Sequence, residues 1–177
     1  MDICSKDPAL DERFAREMGP ADESSYEAVK RAYVGICNRI YNNVRADYDE
    51  ARDIVPYVDE EQFVVHSFKL RAADNVQLAC CHLQYKPHLL PAGRDPCVVI
   101  FLHTNARNLL QALDLLPFCT AVQSSLLAYD LRGCGKSDGP GLNSLERHLA
   151  DLERVIAWAQ SNSMKPAGSQ KIVLWAR

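Results

Sequence analysis

The chain has 177 residues, 47% of them hydrophobic and 24% charged, with a formal net charge of −3. That is the composition of one globular domain, with roughly 70% of its unfolded surface buried once a core forms. It offers no basic field for nucleic acid, and no run approaches the ~18 apolar residues of a membrane span. Met1 to Asp7 is too polar for a signal peptide, and Asp2 stands where N-myristoylation needs glycine. Acylation of Cys4 stays open, although a single lipid anchors poorly. The seven cysteines are odd in number and form no CxxC pair. They read as reduced thiols of a cytoplasmic protein rather than a disulfide framework or a zinc site. No metal or other cofactor is expected.

Residues 1 to 23 are charged and punctuated by Gly19-Pro20. Ser24-x-x-Glu27 is a capping box, and Tyr26, Val29, Tyr33, Ile36, Cys37, Ile40 and Val44 then recur at helical spacing. An amphipathic helix is expected there, so 1–45 reads as a helical extension and 46–177 as the main domain. Residues 45 to 61 are acidic and read as loop around Pro56. Phe63–Leu70 and Val76–Tyr85 flank Ala73-Asp74-Asn75 and read as an antiparallel hairpin. His66 and His82 lack the further ligands a metal needs, so both are expected to be surface or edge residues.

From Pro96 the pattern changes. Cys97–Leu102 is continuously apolar, as in a strand covered on both faces. Leu109 to Val122 reads as helical, with Pro117 in a first turn and Asp114 as its N-cap. Ser125–Asp130 is a second buried strand, and a glycine-rich loop follows. Asn143-x-x-Glu146 opens a helix whose apolar stripe is Leu145, Leu149, Leu152, Ile156 and Ala159. Lys171–Arg177 reads as a third buried strand. Alternating strands and helices of this kind build a parallel sheet through right-handed crossovers.

Three chemical readings of the loops fail on residue grounds. Gly135-Lys136-Ser137 suggests a phosphate-binding loop, but the earlier glycine that loop requires is Asp130, whose carboxylate would repel phosphate. Gly133-Cys134-Gly135 lacks the third glycine of a dinucleotide fingerprint, because Asp138 stands there. Ser144 and His148 share one helix surface and make no base-activated nucleophile.

A fourth reading uses more of the chain. His103-Thr104-Asn105-Ala106, then Asp130-Leu131-Arg132-Gly133-Cys134-Gly135-Lys136-Ser137-Asp138-Gly139, then Ile172-Val173-Leu174-Trp175-Ala176-Arg177 resemble the α/β-hydrolase superfamily. Within it they are most similar to the serine-aminopeptidase-like, prolyl-oligopeptidase-related group. That group has His-Gly-Asn, Asp-x-Arg-Gly-x-Gly-x-Ser-Asp-Gly and Trp-Gly-Arg-Ser-Met-Gly after successive strands. The resemblance runs from about Ala46 to Arg177, and every defined position of the middle motif matches. Thr104 and Ala176 depart from it, each standing where the group has glycine.

The resemblance implies a partial α/β-hydrolase fold: an antiparallel hairpin plus parallel strands with flanking helices, truncated before the nucleophile elbow. It implies a serine hydrolase acting on an ester, thioester or peptide bond, with a small-molecule or peptide substrate. His103 and Thr104 would form the oxyanion loop, with the Asn105 N–H facing the developing charge. Asp130, Arg132, Gly133, Gly135, Ser137, Asp138 and Gly139 would be structural loop residues. The nucleophile would follow Arg177, and the acid and histidine would come later still. The 177-residue chain is therefore expected to be inactive, with the Ile172–Leu174 strand at an open sheet edge prone to self-association. An expectation of another class is a non-catalytic interaction protein that docks through the Tyr26–Val44 helix.

Overall fold

The computed structural model describes residues 48–92, 94, 97–104, 107–139, 145–162 and 171–176. The chain divides into two compact units, Met1–Ile40 and Tyr41–Arg177, and every described residue belongs to the second. The expected Tyr26–Val44 helix, the Asn143 cap, Ser144 and Pro96 lie outside the described residues.

Five strands form one mixed sheet: β1 Phe63–Arg71, β2 Gln77–Tyr85, β3 Cys97–Leu102, β4 Ser125–Tyr129 and β5 Lys171–Ala176, in the order β1-β2-β4-β3-β5. β1 and β2 are the expected hairpin, with Phe63 opposite Tyr85 and Arg71 opposite Gln77. Its turn places Asn75 at φ 66°, a left-handed conformation that asparagine tolerates better than most residues. β2 runs antiparallel to β4. β3 lies parallel between β4 and β5, so Leu102 sits beside Tyr129 on one side and Ala176 on the other.

The apolar runs of β2, β3 and β4 are continuous because both faces of the sheet are covered. On one face Cys81, Leu83, Val99, Phe101, Leu126 and Ala128 pack against Ile54, Val58 and the segment from Leu109 to Cys119. On the other, Leu78, Cys80, Val98, Ile100, Leu127 and Tyr129 pack against Val155 and Ala159. Ile100, Leu126 and Leu127 are fully buried, each worth roughly 1.5–3 kcal/mol of transfer free energy. The β3–β4 crossover thus covers one face and the β4–β5 crossover the other. The strand order reverses around β3, which is the switch point where open α/β sheets form their crevice.

The helices depart from the sequence reading in four places. Residues 48–61 are more than loop. They hold one helical turn, α1 Glu50–Asp53, capped by the Asp49 side chain on Arg52 N–H, and a 3-10 turn Val55–Tyr57 with Pro56 in its first turn. Leu109–Leu115 is a 3-10 segment capped by Asn108, and it continues into α2 Leu116–Ala121. Asp114 is therefore not the cap; α2 follows Leu115 with no side-chain cap, the preceding 3-10 turn supplying Leu113 O to Leu116 N–H. In α3 Leu145–Ser161 the buried positions are Asp151, Val155 and Ala159, while Leu145 and Leu149 are exposed. The helix is rotated from its expected stripe so that Asp151 reaches Arg132. His82, expected at the surface, is buried beneath the edge of the Trp158 ring, while His66 opposite it is exposed.

β5 reads like a central strand, yet it stands at the end of the sheet. Val173, Leu174 and Trp175 are 44%, 51% and 38% exposed.

Candidate active-site loops

Because β4, β3 and β5 run parallel and in register, the segments leaving their C-terminal ends emerge side by side. The described parts of two of these segments, His103–Thr104 and Asp130–Gly139, are tied down by buried polar groups.

His103 leaves β3 buried. Its Nε2 accepts from Leu131 N–H at 2.9 Å and its Nδ1 lies 2.8 Å from Thr104 O. An N–H can only donate, so Nε2 carries the lone pair and Nδ1 the proton. Both ring nitrogens are used, and the imidazole fastens the start of its own loop to the end of the neighbouring strand. Burial lowers its pKa, which keeps this neutral tautomer. Thr104 N–H donates to Gln111 Oε1 at 3.0 Å. Positive φ among the described non-glycine residues is confined to Asn75 and Gln123. Thr104 therefore carries no left-handed backbone strain. Asn105, the oxyanion-hole candidate, lies outside the described residues.

Asp130 is fully buried at the end of β4 and is the hub of the second loop. Its carboxylate accepts from Leu109 N–H at 2.7 Å, Lys136 N–H at 2.7 Å and Tyr48 O–H at 2.9 Å. Its main-chain oxygen accepts from Ser137 Oγ at 2.6 Å, and Ser137 Oγ in turn accepts from Ala79 N–H at 2.8 Å. Burial pushes the Asp130 carboxyl up from the usual range while the donors pull it back. Gly135 faces the same carboxyl at φ 47°, and a Cβ there would overlap it. Gly133 at φ 72° and Gly139 at φ 90° take conformations that favour glycine.

Arg132 closes the loop from the other side. Its guanidinium is bidentate on buried Asp151, at 2.7 and 2.6 Å, and reaches Asp74 in the hairpin turn at 2.7 Å. Those bonds push the arginine pKa further up. Asp138 is exposed, and its N–H donates to Gln77 O at 2.8 Å. The loop from Asp130 to Gly139 therefore joins β4, the β1–β2 hairpin, α3 and the 3-10 segment. Asp130 and Ser137 centre one set of its bonds and Arg132 another.

Sequence reasoning missed Tyr48, Gln111, Asp74 and Asp151. Asp151 had a signal, an acidic residue in line with Val155 and Ala159 on a helix face. Tyr48, 82 residues from Asp130, had none. Among the described residues no cluster of three metal-ligating side chains exists. The described cysteines are free thiols, and burial pushes Cys80 to about 12 and Cys81 to about 11, far from nucleophilic range.

A five-stranded sheet with one antiparallel strand, switching direction around β3 and carrying these loops at its C-terminal edge, is a partial α/β-hydrolase fold. No family model matches the chain, and no curated protein does. Solved structures do. An α/β hydrolase from Vibrio vulnificus aligns over 80% of this chain with a TM-score of 0.56 and 20% identity. An esterase from Pyrococcus furiosus aligns over 75% with a TM-score of 0.52 and 20% identity. The chain spans 46% of the length of each. At such identity the likeness is one of fold.

Proposed function

We propose that this chain is the N-terminal portion of a serine hydrolase of the serine-aminopeptidase-like group. In complete form it would cleave an ester, thioester or peptide bond in the cytoplasm, and as 177 residues it would be inactive. One observation carries the reading: Leu102 stands in register between Tyr129 and Ala176 on three parallel strands. A residue delivered just past β5 would therefore arise beside the loop that follows His103. In such an enzyme a serine there attacks the carbonyl, and main-chain N–H groups of the His103 loop receive the oxyanion. His103 is not the general base, since both its nitrogens are committed. It is a positioning residue for the loop.

Magnitude supports inactivity of the 177-residue chain. An oxyanion site and binding alone retain about 10³- to 10⁴-fold over water, whereas enzymes commonly reach 10⁶-fold and far beyond.

The experiment is labelling with a fluorophosphonate probe. The 177-residue protein should not label. A protein extended with the sequence encoded downstream of Arg177 should carry Ser-x-Gly next, should label at that serine, and should hydrolyse p-nitrophenyl esters. Labelling of the short chain, or a downstream sequence without the serine, would overturn the proposal.

A further inference from the structure

Every polar group of Thr104 is engaged. Its N–H donates to Gln111 Oε1 at 3.0 Å, and its hydroxyl donates to the same oxygen at 3.3 Å. Its carbonyl oxygen accepts from His103 Nδ1–H at 2.8 Å and from Arg107 N–H at 3.2 Å. An N–H can only donate, so the Gln111 amide must present its oxygen to Thr104. The hydroxyl of the threonine that stands where the hydrolase group has glycine thus has a partner of its own.

Two of these anchors, His103 and Arg107, come from the same stretch of chain as Thr104. Gln111 comes from the 3-10 segment Leu109–Leu115. Its own N–H donates to Asn108 O at 3.2 Å, and Asn108 caps that segment. The first N–H of the segment, that of Leu109, is held by buried Asp130 at 2.7 Å. Asp130 therefore seats the turn that carries Gln111, and Gln111 in turn holds Thr104. The end of β4 and the segment leaving β3 are coupled twice, once through His103 Nε2 and Leu131 N–H and once through Gln111.

From this double hydrogen bond we propose that Gln111 is a positioning residue for the oxyanion loop. It withdraws the Thr104 N–H from the substrate and sets where the N–H groups that follow Thr104 stand. This role rests on the hydrolase reading above, because only in that chemistry does the place of a loop N–H decide a rate. Such donors act on charge that develops in the transition state, so misplacing them lowers kcat rather than substrate binding. A displacement of about 1 Å in a positioned group can cost about 10²-fold.

The test is Gln111→Met, which keeps the length of the side chain and loses the acceptor. In the 177-residue protein, amide exchange at Thr104 should rise about tenfold, as expected for one lost hydrogen bond. Leu109 and Leu131, whose N–H groups are bonded to Asp130 and His103, should keep their protection. Gln111→Glu, which keeps an acceptor at the same reach, should restore protection at Thr104. In the protein extended downstream of Arg177, Gln111→Met should lower kcat for p-nitrophenyl esters about 10- to 100-fold, with KM within about twofold of the parent. Affinity for an aryl boronate, which mimics the tetrahedral intermediate, should fall in parallel. Unchanged exchange at Thr104, an equal rise at Leu109 and Leu131, no recovery in Gln111→Glu, an unchanged kcat, or a loss carried by KM would each overturn the proposal. An extended parent protein that hydrolyses no ester would instead overturn the hydrolase reading, and the catalytic role of Gln111 with it, while exchange at Thr104 still decides whether Gln111 holds the loop.

Discussion

The buried His82 makes the fold acid-labile in a calculable way. The imidazole lies against the edge of Trp158, with ring centroids 5.5 Å apart, and opposite His66 at 6.3 Å. Its Nε2 is buried without a partner. Burial, then the neighbouring His66, depresses its pKa from 6.5 to about 4. The folded state therefore favours the neutral ring. The contribution is fully present above pH 6.5 and is lost as the pH falls to about 4. A shift of this size corresponds to about 3 kcal/mol at 1.36 kcal/mol per pH unit. That is a large part of the 5–15 kcal/mol by which domains are stable. The perturbation is His82→Met, which fills the space with a flexible apolar chain and removes both the titration and the orphan nitrogen. Urea unfolding at pH 7.5, 5.5 and 4, followed by far-ultraviolet circular dichroism, supplies the two stability curves. The variant should match or exceed the parent at pH 7.5 and should lose about 3 kcal/mol less on going to pH 4. His103 and His148 are also held down by burial, so a residual acid slope should survive in the variant. Parallel curves for parent and variant would refute the reasoning, because His82 would then be solvated or paired in the folded state.

Two further outcomes are expected. Asp130→Asn keeps the shape but replaces one acceptor oxygen with an NH₂ group facing a donor, at a site that receives three hydrogen bonds. It should cost about 2–4 kcal/mol in chemical denaturation and should raise amide exchange at Leu109 and Lys136 before that of the central strands. The open edge and exposed faces of β5 should make the purified 177-residue protein self-associate or bind a hydrophobic dye, and Leu174→Lys with Trp175→Lys should reduce both in sedimentation and fluorescence measurements. A monodisperse, dye-silent parent would contradict that expectation.

What could be read from sequence, and what could not, divides by the range of the interaction that decides it. The runs Cys97–Leu102 and Ser125–Tyr129 announce themselves because burial on both faces keeps them almost wholly apolar, with Ser125 at the start of the second run and the Tyr129 hydroxyl at its end as the polar groups. Gly133, Gly135 and Gly139 are legible because a left-handed backbone, or a carboxyl pressed against the missing Cβ, demands glycine locally. Asp130 and Arg132 could be recognised as loop residues, but their partners could not. Tyr48, Leu109, Asp74 and Asp151 arrive from four different segments. That long-range network explains the errors in the helices. Leu109 N–H is captured by Asp130 and Leu110 N–H by Asn108, so the segment begins at Leu109 as a 3-10 coil and has no use for a cap at Asp114. Arg132, buried and charged, requires a carboxylate from above, and α3 supplies Asp151 by turning Leu145 and Leu149 away from the core. A buried ion pair costs several kcal/mol of desolvation for each charge and holds only when fully hydrogen-bonded. A helix face that could have been wholly apolar instead carries an acid, and the benefit falls on the loop it fixes, beside the strand ends where the proposed chemistry would occur.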